Sequence, residues 1–512
     1  MEIEELRRRE ALAERMGGTE KVARQHGRGK LDARERIRRL LDADSFHEIG
    51  KIAGRAEVDA SGALVDLSPA NFIFGRGRMD GRTVMAAVDD FTVRGGAADA
   101  AIAGKQIMAE AMARELGIPI VRLLDGTGGG GSVKTLDAPD ARTYIPLNPA
   151  WNHVAAALEE VPVVSLLLGP VAGLGAARAV TSHYSVMVRE ISSLFAAGPP
   201  VVNRLGENTT KESLGGSRIQ TRNGSVDDEV DSEDEAFERA RRFLSYLPAS
   251  VHELPPRAPC TDPVERRAEK LLSIVPHDRR KVYKMREILA AVVDEGSLFE
   301  IGRHNGRSLI TALARLDGWP VAIMAEDPYI YGGGWTAASS QKATRFVDLA
   351  ETFHLPVVHL VDCPGFVVGT EAEAAATLRH GARAMTAIYQ ASVPWCSVIV
   401  RKVFGVAGAA HSNGHRPQYR YAWPSGDWGS LPVEGGVEAA YSAMLEDAED
   451  PEALLAEITA RLNAVRSPFR TAEAFMVEEI IDPRDTRPLL CEFANLVAKR
   501  RRPGPGSVRY RP

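Results

Sequence analysis

Cysteine is scarce. The 512 residues hold four, Cys260, Cys363, Cys396 and Cys491, with no CxxC pair among them. That excludes a disulfide framework and a structural zinc site, and it fits a reducing compartment. Long apolar runs are missing too, since none approaches the roughly 20 residues that span a bilayer. No excess of basic residues exists, because the formal net charge is −5. Nucleic-acid binding by bulk charge is therefore disfavoured. The opening stretch, Met1–Gly18, mixes acids and bases around no apolar h-region, so a cytoplasmic protein without a secretory signal is expected. Nucleotide and nucleophile motifs are absent as well: no GxxxxGK[ST], no clean GxGxxG with its acidic partner, no GxSxG.

What is present is an ordinary globular composition with 46 glycines, clustered rather than spread. The length allows two large domains, and internal similarity supports them. Ser45–Gly50 recurs as Ser297–Gly302, and Met79–Asp89 resembles Leu316–Glu326. In the same register Gly95-Gly96 falls on Gly332-Gly333, Lys105 on Lys342, and Leu116–Asp125 on Phe353–Asp362. Further on, Val161–Gly173 resembles Val393–Gly405. Two homologous domains follow, 1–255 and 256–512. The acidic run Asp227–Glu235 reads as the solvated start of a helix over 236–247, and Pro248 and Pro255–Pro259 mark the linker.

Each half alternates strand, helix and strand. Val84–Val88 and Ile118–Leu124 are short apolar strands around the alanine-rich run Ala97–Leu116. Val321–Met324, Gln341–Phe353 and Val357–Val361 repeat the order. Both halves are therefore α/β with a largely parallel sheet. The glycines follow strand ends: Gly126–Gly131 and Gly169–Gly175 in the first half, Gly365 and Gly405–Gly408 in the second. Ligands of open α/β sheets bind outside the carboxyl ends of strands. A glycine turn that opens a helix there aims backbone N–H groups at one point, which suits an oxyanion. Ser182-His183 and His411-Ser412 form no triad, and Asp89, Asp90 and Asp125 read as loop hydrogen-bonding groups. No metal site is expected.

Several longer segments carry a family resemblance. They are Lys30–Ile37, Asp89–Gly96, Gly169–Gly173, Leu214–Gly216, Leu244–Pro248, Lys342–Phe346, Val361–Glu371, Arg379–Ala382, Trp423-Pro424, Glu434-Gly435 and Ile481–Arg487. Over roughly residues 28–500 the chain resembles the carboxyltransferase (β) subunits of biotin-dependent acyl-CoA carboxylases of the propionyl-, acetyl- and methylcrotonyl-CoA type. It also resembles the related subunits of biotin-dependent decarboxylases. The resemblance implies two crotonase-like domains, the first serving acyl-CoA and the second serving biotin. It implies a ligase or transferase that moves CO₂ from carboxybiotin to the α carbon of an acyl-CoA. Biotin would arrive on a separate carrier, since no Ala-Met-Lys-Met motif occurs here. A biotin carboxylase and carrier (α) subunit is the implied partner, and a hexamer (a trimer of dimers) the implied assembly.

By the same resemblance, the N–H groups of Gly173 and Leu174 hold the thioester oxygen, and those of Val406 and Ala407 the biotin oxygen. Gly129, Gly130 and Ala172 line the first site; Gly365, Phe366, Gly405, Gly408 and Ala409 line the second. Leu174 and Val406 replace customary glycines, Ala409 a frequent aspartate, Trp335–Gln341 an Asp-rich stretch and Pro432 a glycine. These departures point to a different or bulkier acyl-CoA. They also leave open a decarboxylase, or a non-catalytic scaffold. The basic tail from Lys499-Arg-Arg-Arg502 reads as solvated, with a partner contact as the alternative.

Overall fold

The apolar runs become the inner strands of two sheets. The computed structural model describes residues 2–97, 100–126, 145, 150–414, 419–506 and 511. The chain divides into two compact units, Met1–Glu253 and Leu254–Pro512. Residues 254–261 form neither helix nor strand, as their prolines dictate.

Unit 1 holds strands β1 (His47–Ile49), β2 (Gly54–Val58), β3 (Leu64–Pro69), β4 (Phe72–Met79), β5 (Arg82–Asp89), β6 (Ile120–Gly126), β7 (Val163–Ala172), β8 (Tyr184–Val188), β9 (Ser193–Phe195) and β10 (Asp228–Val230). Its main sheet runs β1-β4-β5-β6-β7-β8-β10, with β9 also beside β7, while β2 and β3 form a separate hairpin. Pairing is antiparallel from β1 to β5 and parallel beyond. The helices that matter for the site are α1 (Ala33–Leu40), α2 (Ala103–Glu115), α3 (Leu174–Val180) and α4 (Glu233–Ser245).

Unit 2 repeats this plan. Its strands are β11 (Phe299–Ile301), β12 (Leu309–Leu316), β13 (Trp319–Glu326), β14 (Val357–Cys363), β15 (Trp395–Phe404), β16 (Tyr419–Ala422), β17 (Asp427–Gly429) and β18 (Glu479–Ile480). They order as β11-β12-β13-β14-β15-β16-β18, with β17 beside β15, which is the order of unit 1. Helices α5 (Ala337–Thr352), α6 (Gly405–Gly408) and α7 (Thr486–Ala498) belong to this unit. The parallel strands read as continuous apolar runs because both sheet faces are covered. Val163–Leu168 and Val357–Cys363 are buried at every position.

The duplication extends to backbone conformations. Asp80 and Asp317 turn at φ 51° and 49°, followed by Gly81 and Gly318 at 78° each. Arg94, Gly95 and Gly96 lie at 52°, 64° and 69°, and their counterparts Tyr331, Gly332 and Gly333 at 50°, 62° and 90°. A Cβ on Gly96 would come within 2.6 Å of the Gly126 Cα, and one on Gly333 within 2.3 Å of the Asp362 carbonyl oxygen. Glycine is required at both places by close approach of the turn after β5 to the end of β6, and of the turn after β13 to β14. This turn also delays α2, which begins at Ala103 rather than Ala97.

The acidic run departs from its sequence reading. Its first residues form β10, and Asp227, Asp228 and Glu233 are buried. Asp227 accepts from the Ser185 N–H at 2.8 Å, Asp228 from the Tyr184 hydroxyl at 2.7 Å, and Glu233 pairs with Arg36 at 2.7 Å. A strand followed by a paired helix start replaces the solvated run, because tertiary partners compensate the charges.

Candidate active site

Strand β7 ends at Ala172, and Gly173 follows at φ 60°, ψ −126°, a conformation that an L side chain resists. Helix α3 then starts at once with Leu174. In unit 2, β15 ends at Phe404, Gly405 takes φ 59°, and α6 proceeds through Val406, Ala407 and Gly408. The two turns are structural twins. Each is flanked by a short parallel strand, β9 beside Ala172 and β17 beside Phe404. The first N–H groups of a helix have no acceptor within it, so both turns offer backbone donors at the carboxyl end of a central strand. Leu174 and Val406 match in exposure, 56% and 55%.

One expected donor is engaged elsewhere. The Gly173 N–H donates to the carbonyls of Phe195, at 3.3 Å, and Ala196, at 3.2 Å. It holds the turn against the β9 segment. The donors that open α3 are instead Leu174 and the next residue, Gly175. In unit 2, Ala407 and Gly408 are buried, while Ala409 is exposed. Gly365, at φ 117°, is buried and accepts from the Trp335 N–H at 3.0 Å, and Phe366 packs its ring against Gly381. Both follow the end of β14, and a Cβ on Gly365 would lie 3.6 Å from the Phe404 carbonyl that precedes the turn. Gly129 and Gly130 lie outside the described residues.

Buried polar groups brace each turn from behind. Arg122 is a lone cation within β6. It donates to the carbonyls of Thr181 at 2.7 Å and Arg178 at 3.1 Å, capping the carboxyl end of α3. Glu110, on α2, pairs with both Arg122 and Arg178 at 2.9 Å. These cations keep the buried Glu110 carboxyl below its usual range. In unit 2 the brace is neutral. His411 holds the Gly408 carbonyl through Nδ1 at 2.9 Å, and its own carbonyl accepts from Trp395 at 2.8 Å and Ser397 at 2.6 Å. A carbonyl only accepts, so Nδ1 carries the proton. Desolvation pushes the His411 ring down to about 4.

At the strand ends, Asp125 is clamped by Lys30 at 2.7 Å, Arg36 at 2.9 Å and Gln25 at 3.0 Å. A Cβ on Gly169 would meet Asp125 Oδ1 at 1.9 Å, which fixes that glycine. Asp362 is held by Tyr283 at 2.8 Å and Arg401 at 3.0 Å. Asp89 accepts from the Asp125 N–H at 3.2 Å, and Glu326 from the Asp362 N–H at 3.0 Å. Burial raises the Asp89 carboxyl to about 6. Asp90 caps Thr92 through both N–H and hydroxyl. The aspartates thus hold loops and ion pairs. His183 is structural, with Nδ1 accepting from Val163 and Nε2 on the Leu158 carbonyl.

Among the described residues, His26, Asp32 and Glu35 could together hold a metal ion. They include the capping box of α1 and no turn residue. A cleft of about 750 Å³ in unit 1 is lined by Arg15, Gly17, Gly18, Lys21, Arg55 and Arg94, among others. The sequence reading missed Glu110, Arg122, Arg178 and this cleft, and it named His411 only as part of a pair that forms no triad. Arg122 left a signal, a charge inside an apolar strand run that demands a buried partner.

Comparison with known proteins agrees with this geometry. The carboxyl transferase domain model matches residues 24–509. A propionyl-CoA carboxylase carboxyltransferase subunit of Haloferax mediterranei is 33% identical over 506 residues, covering 98% of this chain and 96% of the relative. A methylmalonyl-CoA decarboxylase subunit alpha of Veillonella parvula is 32% identical over 502 residues, covering 98% and 96%. The crystal structure of transcarboxylase 12S, a hexamer with methylmalonyl-coenzyme A bound, superposes with a TM-score of 0.86 at 29% identity, covering 99% of this chain and 97% of that one. The chain belongs to the carboxyl transferase domain family. Its two units are the duplicated crotonase-like domains expected from the sequence.

Proposed function

We propose that this protein is the carboxyltransferase subunit of a biotin-dependent acyl-CoA carboxylase. The observation that carries the reading is the pair of strand–glycine–helix turns at Gly173 and Gly405, each opening backbone donors at a strand end. In this reading the α3 turn, through Leu174 and Gly175, stabilises the oxygen of the acyl thioester as the α carbon loses its proton. The α6 turn, through Val406 and Ala407, takes the biotin oxygen. Ala172, Gly365, Phe366, Gly408 and Ala409 shape the surroundings. Carboxybiotin, when delivered by a carrier protein, supplies the CO₂. Preorganised N–H groups suit both places because charge develops on oxygen and no titratable side chain is needed. The cleft of unit 1, lined by more cations than acids, supports the assignment of CoA to that unit, since Lys21 and Arg55 lie along it with Glu57 and Asp66. A homo-hexamer working with a biotin carboxylase and carrier subunit completes the proposal, with the cytoplasm as its place.

The test uses the purified chain, first alone with free biotin and methylmalonyl-CoA, then with partner subunits, ATP, bicarbonate and a panel of acyl-CoAs. Biotin-dependent CO₂ release and acyl-CoA-dependent bicarbonate fixation are expected. Absence of both reactions would sink the catalytic reading, and no detectable acyl-CoA binding by the chain alone would favour a scaffold. Release without fixation in the assembled system would favour a decarboxylase.

A further inference from the structure

The carboxyl end of α7 carries four consecutive cations, Lys499, Arg500, Arg501 and Arg502. Lys499, Arg500 and Arg502 are exposed, as a solvated tail requires, but Arg501 is buried, at 8% exposure. Its guanidinium lies over the Trp319 ring at 5.4 Å and donates from Nη1 to the His354 carbonyl at 3.3 Å. Its Nε is buried and has no hydrogen-bond partner. Among the described residues, none of the four cations forms a salt bridge. Arg257, on the same Trp319 ring at 5.6 Å, is by contrast paired with Asp317 at 2.6 Å. Glu351 engages Ser392 and Val393, accepting two N–H bonds at 2.7 and 3.1 Å and the serine hydroxyl at 2.7 Å.

These cations border a cavity of about 540 Å³, completed by His354, Ser392, Val393 and Pro394. Basic residues at a helix carboxyl end are favoured by the helix dipole, which accounts for Lys499 and Arg500. It does not account for a desolvated guanidinium without a carboxylate, because a buried charge normally has a partner. Burial alone lowers Arg501 to about 10. A buried guanidinium bordering a polar cavity with three exposed cations around it matches an oxyanion with several acceptor oxygens.

We propose that this cavity binds the phosphate group of a small phosphorylated metabolite, with Arg501 at its floor and Lys499, Arg500 and Arg502 at its rim. A concave site with one buried fork suits a compact dianion better than an extended acidic segment. The site uses none of the turn residues and does not rest on the reaction proposed above.

The test is isothermal titration of the full-length chain with inorganic phosphate and with pyrophosphate, at constant ionic strength against chloride. Saturable binding is expected, tighter for pyrophosphate. Arg501→Met should weaken it at least tenfold. The Arg500→Gln, Arg502→Gln double variant alters only exposed side chains, and should weaken it as much while leaving the melting temperature unchanged. Absence of binding, or binding unchanged in both variants, overturns the site. An acidic peptide that competes as well as pyrophosphate would assign the cavity to a protein partner, and overturns the proposal too.

Discussion

At the scale of single residues, the proposed site rests on two glycines. Gly173 must hold φ 60°, ψ −126°, and its N–H is tied to the Phe195 and Ala196 carbonyls. Replacing it with alanine should cost about 1–3 kcal/mol of backbone strain. The strain should swing the Leu174 donor off its target. We expect Gly173→Ala to lower kcat for carboxylation roughly 100-fold, the order lost with one oxyanion donor, with an unchanged far-UV circular dichroism spectrum. Equal kcat in the variant would remove α3 from the chemistry. Leu174→Ala keeps the donor and removes only an exposed side chain. It should shift KM among acyl-CoAs of different chain length while kcat stays within a few fold. The glycines were legible because their conformation excludes other residues. The bonding of the Gly173 N–H to Phe195 and Ala196 was not, because its acceptors lie in a separate strand segment that only tertiary structure brings close.

Elements enter through the braces behind each turn. Glu110→Ala would leave Arg122 and Arg178 buried without their shared carboxylate. Breaking such a group costs about 3–5 kcal/mol. At about 2–4 °C per kcal/mol for a unit of this size, calorimetry should show unit 1 melting roughly 10 °C lower. A shift under about 2 °C would mean that water replaces the carboxylate. The unit 2 brace responds to pH. His411 ionises at about 4 when folded and near 6.5 when unfolded. Its contribution is therefore complete above pH 6.5 and falls as pH drops toward 4. The loss should reach about 3 kcal/mol. Urea unfolding across that window should show it, and His411→Asn should flatten the difference. Strands and helices of both units were readable from apolar runs and alanine content. The start of α2 was misjudged because the Gly95–Gly96 turn, required by a contact with Gly126, overrides alanine's helix preference.

At the scale of the whole molecule, two sheets share one strand order and no strand. A chain severed between Glu253 and Leu254 should therefore keep both. Co-expressed halves are expected to purify with the far-UV spectrum of the intact chain. Collapse of either half into aggregate would show that the covalent join matters to folding. The repeated segments revealed the duplication, since equivalent turns retain equivalent residues. The buried acidic run around β10 stayed hidden, because Tyr184, which donates to Asp228, and Arg36, which pairs with Glu233, are remote in the chain.

The twin turns have a consequence for how such a protein changes over time. Donors supplied by the main chain are silent to most codon changes, so positions 174 and 406 are free to drift without erasing the chemistry. Saturation libraries should then divide sharply. Positions 173 and 405 should reject nearly every replacement, while 174 and 406 should accept many and yield a spread of substrate preferences. The reaction is inherited through geometry, and selectivity is left to the side chains.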